Sequence, residues 1–236
     1  MTGPKSTTAA LPRYQWSADE YLRMVEAGLF NKIELLQGDV VVTGASCKPY
    51  HWTLEDYDRI VSLGLLEGKH VELVQGAILV MSPRGAPHAL TITQLNEILI
   101  PYFNSRTGYR LRIQMPLALP HLTSEPEPDL AVVTLDAPTS TAGHPASAVL
   151  VIEVAESSLH CDRDHKGPLY AAAGIYDFRL VNLPERCPEV YRHPIPDPQS
   201  FSAWRYQDCQ VLQAGEQVAP LTAPEIVVPA AAVFPA

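Results

Sequence analysis

The sequence predicts an α/β protein in which helices flank a mixed β-sheet. Three patterns predict it: residues 88–106 place apolar side chains on one helical face, residues 109–119 alternate apolar and polar side chains, and residues 148–154 form a short apolar run. These patterns are typical of an amphipathic helix, a half-buried strand and a strand buried on both faces. Helix and strand signals therefore alternate along the chain, which favours helices layered on a sheet.

The later segments extend this order. Residues 130–135 form a second short apolar run, residues 162–173 have helical spacing, and residues 178–183 have the character of a strand. Pro101 is expected to kink the first helix, because proline removes a backbone donor. After Cys187 prolines interrupt the chain repeatedly, so we expect short segments that wrap the core.

Two similar segments open the chain. Residues 14–30 match residues 50–66, and residues 33–42 match residues 71–80. In each copy a Ser or Thr precedes an acidic residue by three positions, which predicts the start of a helix, and a Gln-Gly pair between apolar runs predicts a hairpin turn. We expect a duplicated N-terminal helix-hairpin module whose function is packing, since two copies are fewer than a solenoid needs.

This repeat suggests a division of the chain. Residues 1–49 would hold the first copy, and residues 50–236 would form the main domain, with its core at about residues 84–183. A working second site in the first copy is the less favoured interpretation, because that copy lacks a counterpart of the segments that follow the second copy.

Composition excludes several classes of protein. The chain has 236 residues, 47% of them hydrophobic, and a net charge of −9, so it is neither disordered nor a polybasic protein that binds DNA by bulk charge. Residues 1–13 lack the apolar region of a secretory signal, and no apolar run approaches a membrane span. The four cysteines form no CxxC pair and are interpreted as reduced thiols. We therefore expect a cytoplasmic protein without membrane association.

The charge is unevenly distributed. Residues 120–159 contain six acidic residues and no Lys or Arg, whereas residues 82–119 contain four Arg and one Glu. An acidic segment thus follows a modest arginine face. This arrangement predicts weak DNA binding in the absence of metal and a strong dependence of that binding on salt.

Two carboxylates stand where the pattern predicts strands. Glu153 interrupts an apolar run, and Asp129 begins the preceding strand. A buried carboxylate is costly unless a cation or hydrogen bonds compensate it. If the strands are neighbours, the two side chains converge in a way that suits Mg²⁺, which can activate water for attack on a phosphoryl group. The alternative is structural: Asp129 caps a turn and Glu153 pairs with a nearby Lys or Arg.

A lysine on the next predicted helix adds to this set. Lys166 could reach the carboxylates from that helix and stabilise phosphoryl charge, and Tyr170 lies one turn further on the same face. The alternative is an exposed pair between Lys166 and Asp162, which are four residues apart and would contribute about 0.3–0.5 kcal/mol.

Several short motifs occur in an order that resembles the motif order of a known protein family. The relevant segments are Thr53–Gly64, Glu72–Gly76, Met81-Ser82-Pro83, His88, Pro128-Asp129, Glu153-Val154, Ser157-Ser158, Asp162, Lys166, Tyr170, Gly174 and the ending LTAPEIVVPAAAVF. Over about residues 50–236 this order resembles the Uma-two family of the PD-(D/E)xK nuclease superfamily. The chain departs from the family at Asp177-Phe178-Arg179, where members tend to have EYW, and at Leu159-His160 after the serines.

The resemblance implies a fold, a site and a chemistry. The fold would be a restriction-endonuclease-like core, and the reaction would be hydrolysis of DNA with Mg²⁺ or Mn²⁺. Asp129 and Glu153 would be catalytic residues that hold the metal, and Lys166 would be the catalytic lysine. Glu72, His88 and Tyr170 would be accessory groups near the site. Equally, Glu72 could hold its hairpin and His88 could be a hydrogen-bonded residue at a helix start.

The sequence therefore favours a metal-dependent endonuclease that hydrolyses DNA phosphodiester bonds. The competing interpretation is a catalytically inactive protein with a nuclease fold that binds or regulates. A third is a metal-dependent hydrolase that acts on another substrate. Many such nucleases are dimers, and the sequence is compatible with a homodimer but does not determine the oligomeric state.

Overall fold

The structure is a computed structural model that describes residues 12–29, 33–43, 48–140 and 142–235. Contacts divide the chain into two units, Met1–Met81 and Ser82–Ala236. Cys47, Phe30 and most of the segment before Arg13 lie outside the described residues. Among the helices of the described ranges, none is long and apolar enough to cross a membrane.

The first unit contains two helices, each followed by a hairpin. Its elements are α1 (Ala18–Glu26), β1 (Ile33–Leu36), β2 (Asp39–Val42), α2 (Leu54–Ser62), β3 (Val71–Val74) and β4 (Ala77–Val80). Both helices begin with the expected capping box, in which the side chain of Ser17 or Thr53 accepts a backbone N–H and an acidic side chain three residues later accepts the N–H of the cap. Both Gln-Gly turns adopt left-handed backbone angles, as a tight hairpin requires.

One hydrophobic cluster serves both halves of the first unit. Trp16 and Met24 from the first half pack with Trp52 and Ile60 from the second, and the Trp16 and Trp52 ring centroids lie 5.4 Å apart. Because both helix-hairpins bury their apolar faces in this cluster, the boundary between compact units follows Met81. The division predicted at residue 49 instead separates the two sequence copies.

The second unit contains a six-stranded mixed sheet. Its main elements are α3 (Ala86–Leu99), β5 (Tyr109–Ile113), β6 (Leu130–Thr134), β7 (Leu150–Ala155), β8 (Asp177–Asn182), β9 (Cys187–Pro196) and β10 (Trp204–Val211). The strand order is β10-β9-β8-β7-β6-β5. Only β7 and β8 are parallel among these strands; the other neighbours are antiparallel. The predicted α/β class with a mixed sheet is confirmed.

The parallel pair requires a crossover, and a helical segment supplies it. This segment starts as α4 (Leu159–Cys161), continues as a π-helix (Asp162–Lys166) and ends as α5 (Gly167–Ala172). The helix thus begins a few residues before the predicted start at residue 162. A π-helical turn is rare and occurs frequently at functional sites.

The two faces of the sheet pack against different helices. On one face Leu95 and Leu99 of α3 cluster with Val132 and Ile152. On the other face, Tyr170 of α5 clusters with residues that include Val151, Ala155, Phe178 and Leu180. Alternation along β7 therefore directs the side chain of Glu153 toward the face that α5 covers.

Two sequence expectations are wrong at Pro101 and at Gln114. α3 ends at Leu99, ahead of Pro101, rather than continuing through a kink to residue 106, because proline supplies no N–H to a further helical turn. β5 ends at Ile113, since Gln114 takes a left-handed backbone conformation with φ of 49°. The alternating pattern thus outlasts the strand.

The expectation of short wrapping segments after Cys187 is wrong for residues 187–211, because β9 and β10 are long strands that extend the sheet. It holds for residues 212–235, whose short segments place Ile226 and Val233 in the core cluster of α3. The pairing of β9 with β8 ends at Arg192 opposite Asp177. Pro194 and Pro196 lie beyond this point, where β9 pairs only with β10. Their missing N–H groups therefore leave the ladder to β8 intact, which is how proline is tolerated in a sheet.

The helix caps of the first unit give a stability prediction. Ser17→Ala and Thr53→Ala should each lower the free energy of unfolding of this unit by about 1 kcal/mol, because each removes the side-chain acceptor of a capping box. Urea unfolding followed by tryptophan fluorescence measures this, since Trp16 and Trp52 are buried in the unit; a Trp204→Phe background removes the remaining tryptophan.

Asp is also a favourable N-cap, so Ser17→Asp and Thr53→Asp serve as matched controls that should retain most of the stability. Equal stability of the alanine and aspartate variants would contradict the proposed contribution of the caps.

Candidate active site

Glu153 is buried on β7 with two donors on one of its oxygens. The residue is 2% exposed. Its Oε1 accepts a hydrogen bond from Lys166 Nζ at 3.1 Å and one from the Tyr170 hydroxyl at 2.6 Å. The helical crossover between β7 and β8 carries both donors, so the connection that makes the sheet parallel also brings the lysine to the carboxylate.

Asp129 lies beside Glu153 because β6 and β7 are antiparallel neighbours, with Leu130 opposite Ile152. Asp129 Oδ2 accepts from the Val154 amide at 2.9 Å and lies 3.0 Å from His88 Nε2. The Asp129 amide donates to Glu153 Oε2 at 3.4 Å. The two carboxylates predicted from the sequence therefore converge at the end of two neighbouring strands.

His88 comes from the first turn of α3, where it is buried. Its Nε2 faces Asp129, while its Nδ1 has no hydrogen-bond partner among the described residues. The contact to Asp129 matches one of the two alternatives for His88, namely a hydrogen-bonded residue at a helix start, and it also places the ring next to the carboxylates.

Gln114 is a further contact of Asp129, and the sequence did not single it out as a site residue. Its Nε2 donates to Asp129 Oδ1 at 3.3 Å, and its amide donates to the Asp129 carbonyl at 3.0 Å. A non-glycine residue with positive φ is uncommon and occurs often at functional sites. The only signal in the sequence is its position at the end of a polar strand face, after Arg110 and Arg112.

Asp162 and Lys166 do not form the exposed pair that the sequence left open. Both side chains are buried, at 3% and 4% exposure. Lys166 donates to Glu153, and Asp162 Oδ2 accepts from the Ser158 hydroxyl at 2.6 Å. Burial, followed by repulsion from Glu153, raises the pKa of Asp162 to about 8, although Lys166 acts in the opposite direction.

The two central carboxylates have shifted pKa values of opposite direction. Burial raises the pKa of Glu153, and the Asp129 charge adds to this, against the opposing effects of Lys166 and Tyr170. Burial also acts to raise the pKa of Asp129, but the contacts with His88 and the Val154 amide outweigh it and lower the pKa. Three carboxylates thus share one buried region that contains a single lysine.

Glu72 belongs to the first unit. It lies on β3 opposite Leu79 in the hairpin register and is buried. Its predicted accessory role stays a prediction.

The segment that departs from the family pattern forms a buried ionic group. Asp177 is fully buried and accepts hydrogen bonds from Arg179, Arg192 and the Leu221 amide. Phe178 packs against Tyr170 with ring centroids 5.4 Å apart. The departure therefore keeps an aromatic support behind Tyr170 and leaves the contacts of Glu153 in place.

The carboxylate oxygens of Asp129 and Glu153 are suitable ligands for a hard divalent cation. Asp129 and Glu153 each have one oxygen in short hydrogen bonds, whereas Asp129 Oδ1 and Glu153 Oε2 have single longer contacts of 3.3 and 3.4 Å. No group of three His, Cys, Asp or Glu side chains arranged for a metal occurs in the described ranges. Mg²⁺ in phosphoryl-transfer sites is held by one or two carboxylates with water and substrate phosphate, so two carboxylates are sufficient.

A nuclease-like protein of known structure is similar to this chain. One solved structure that matches is the crystal structure of a putative nuclease belonging to DUF820 from Anabaena variabilis ATCC 29413. It is 18% identical, the match covers 70% of this chain and 89% of that chain, and the TM-score is 0.47. No curated protein matches the chain.

The model of the Uma2 family, described as "Putative restriction endonuclease", matches residues 54–231. This span is well over half of the chain and includes Asp129, Glu153 and Lys166. The resemblance identified in the sequence is confirmed: the protein belongs to the Uma2 family.

Proposed function

We propose that the protein is a metal-dependent endonuclease that hydrolyses DNA phosphodiester bonds in the cytoplasm, with Mg²⁺ or Mn²⁺ as cofactor. The observation that carries this proposal is the convergence of Asp129, Glu153 and Lys166, from two neighbouring strands and a crossover helix, within one buried group of hydrogen bonds. The description of the Uma2 family supports the same reaction class.

The buried negative charge of the site supports binding of a cation. Asp129, Glu153 and Asp162 are all buried, and Lys166 is the lysine among them. Uncompensated negative charge in a buried site is costly, and it is expressed here as raised pKa values for Glu153 and Asp162. A divalent cation on Asp129 Oδ1 and Glu153 Oε2, the oxygens with the longer contacts, would reduce this cost.

Each residue has a role in the proposed reaction. Asp129 and Glu153 would hold the cation, which when bound supplies positive charge against the phosphoryl group and a nucleophilic water at neutral pH. Lys166 places an ammonium group at this position and would stabilise charge that develops on phosphorus. Tyr170, His88 and Gln114 hold the two carboxylates in orientation through their hydrogen bonds.

We further infer that residues 50–236 correspond to the family's restriction-endonuclease-like domain and that residues 1–49 are a tandem copy of its opening module. The support is the matching sequence of the two halves and their equal order of helix, strand and strand. The shared core of the first unit supports a packing role for this copy.

The proposal predicts which side chains cleavage requires. Asp129→Asn, Glu153→Gln and Lys166→Ala should each reduce Mg²⁺-dependent nicking of supercoiled plasmid by at least about 10²-fold, because each removes a charge that acts on the transition state. Gln114→Ala and His88→Ala should lose about 10- to 100-fold, since they act through Asp129. Asp136→Asn, an exposed acid of the same acidic segment, is the control.

EDTA should abolish nicking by the wild-type protein. If the Glu153→Gln variant nicked plasmid at the same rate as the wild-type protein, this result would contradict the proposed site. DNA binding without nicking under any divalent metal would instead favour the inactive binding protein.

Metal binding should also be measurable without activity. Mg²⁺ at about 100 times its Kd should raise the free energy of unfolding of the second unit by about 2.7 kcal/mol. Glu153→Gln and Asp129→Asn should reduce this gain strongly, whereas Asp136→Asn should retain it. Equal stabilisation of all four proteins would show that Mg²⁺ binds elsewhere.

Asp162 predicts a pH dependence of stability in the absence of metal. Its pKa in the folded protein, about 8, exceeds the ordinary value of 3.8. The folded state therefore favours the protonated form, and this contribution to stability is fully present below pH 3.8 and is lost as the pH rises to about 8. Asp162→Asn removes the group, so its stability relative to wild type should increase between these pH values and then level off.

Urea unfolding in EDTA at pH 5 and pH 8.5 measures this difference, with Asp136→Asn as the matched control that should follow the wild-type curve. A constant difference between Asp162→Asn and wild type at the two pH values would contradict a raised pKa of Asp162.

A further inference from the structure

The edge strand β5 carries a row of basic and polar side chains that leads to the site. Arg110 and Arg112 pair in register with Val133 and Ala131 of β6. Both partners belong to the cluster on the face that α5 covers, whereas Tyr109 and Leu111 pack toward α3 on the other face. Arg110 and Arg112 therefore lie on the same face of the sheet as Glu153.

The row ends at a site residue. Gln114 follows Arg112 by two positions, and its side chain donates to Asp129 Oδ1 at 3.3 Å. Arg110 and Arg112 lie two apart on one face of β5 and are separated by about 6.7 Å, and Gln114 directly follows the strand. We call Arg110, Arg112 and Gln114 the β5 row; it runs along the sheet edge directly into the candidate active site.

The two arginines carry charge that the protein does not neutralise. Neither forms an ion pair with a carboxylate in the part of the chain that the structure describes. Burial lowers the pKa of the Arg112 guanidinium, and the neighbouring Arg110 charge lowers it further. Two adjacent like charges without an acidic partner form a surface that an anion would stabilise.

Arg112 is also held in place. Its Nη2 donates to the Pro116 carbonyl at 3.2 Å, while its buried Nε has no acceptor among the described residues. Arg110, by contrast, is exposed. One guanidinium is thus oriented by the fold with an unused donor, and the other is free to follow a ligand, which is a suitable combination for contacts to successive phosphates.

We propose that the β5 row binds the phosphate backbone of the nucleic-acid substrate and guides one strand toward Asp129 and Glu153. The inference rests on the proposed function, because it takes that site as the destination of the strand. The occupant is chosen by charge complementarity: the row is cationic, whereas the segment of residues 120–159 beside it carries six acidic residues and no Lys or Arg. A polyanion is therefore attracted to the row and repelled by the acidic side chains of the site.

The experiment is fluorescence anisotropy of a labelled 20-bp duplex, and of one of its strands alone, in EDTA between 25 and 200 mM KCl. Arg110→Ala should weaken binding, and Arg110→Ala/Arg112→Ala should weaken it by about tenfold or more at low salt. The slope of log K against log[salt] should become shallower by about 0.9 per lost contact on the duplex and about 0.7 on the single strand.

Arg205→Ala is the matched control, because Arg205 lies on β10 at the opposite edge of the sheet and pairs with Asp197 at 3.2 Å. It should leave the affinity and the slope unchanged. Arg110→Lys/Arg112→Lys should retain the slope, since phosphate contacts depend mainly on charge. With Mg²⁺ present, Arg110→Ala should raise KM for cleavage and leave kcat nearly unchanged.

The outcomes separate this proposal from the nuclease activity. Wild-type affinity and slope in Arg110→Ala/Arg112→Ala, equal losses in Arg205→Ala, or no binding of either DNA at 25 mM KCl would each overturn the assignment of the β5 row. A protein that binds DNA through the row and nicks nothing would support the row and reject the nuclease proposal.

Discussion

The structure depends on how the buried carboxylate of Glu153 is compensated. A charged group in the middle of a β-sheet is tolerated only where hydrogen bonds and opposite charge replace water. Lys166 and Tyr170 supply these contacts at 3.1 and 2.6 Å, and both come from the crossover that joins the parallel strands β7 and β8. The crossover helix thus covers one face of the sheet and also carries the two hydrogen-bond donors to Glu153.

The π-helical turn carries contacts to two strands of the sheet. Over residues 159–172 the helix has to place Asp162, Lys166 and Tyr170 against the sheet, while Arg163 reaches the buried carboxylate of Glu189 on β9 through Nε at 2.9 Å. Glu189 also accepts from Asn182 and from the Tyr191 hydroxyl. The π-helical segment is therefore tied to β7 on one side and to β9 on the other, which fixes the position of Lys166 relative to Glu153.

Local patterns predicted β6, β7, β8 and the crossover helix, and they singled out Glu153 because a carboxylate contradicts an apolar run. Gln114 could not be predicted as a contact of Asp129, because its left-handed conformation leaves no trace in the alternation of residues 109–119. The burial of Asp162 depends on packing across the sheet, so its spacing from Lys166 equally fitted an exposed pair. The long strands β9 and β10 were missed because prolines interrupt β9. Pro188 lies within the pairing with β8, whereas Pro194 and Pro196 lie where β9 extends past β8, a register that only tertiary structure sets.

In the proposed enzyme a divalent cation balances the excess buried negative charge at Asp129 and Glu153. Anomalous diffraction from a crystal soaked in Mn²⁺ tests it most directly. We expect a peak within about 2.0–2.3 Å of one oxygen of each carboxylate, with Lys166 still beside Glu153, and no peak in crystals of Glu153→Gln. A wild-type crystal that binds Mn²⁺ only at other positions, or a peak that Glu153→Gln retains, would contradict it.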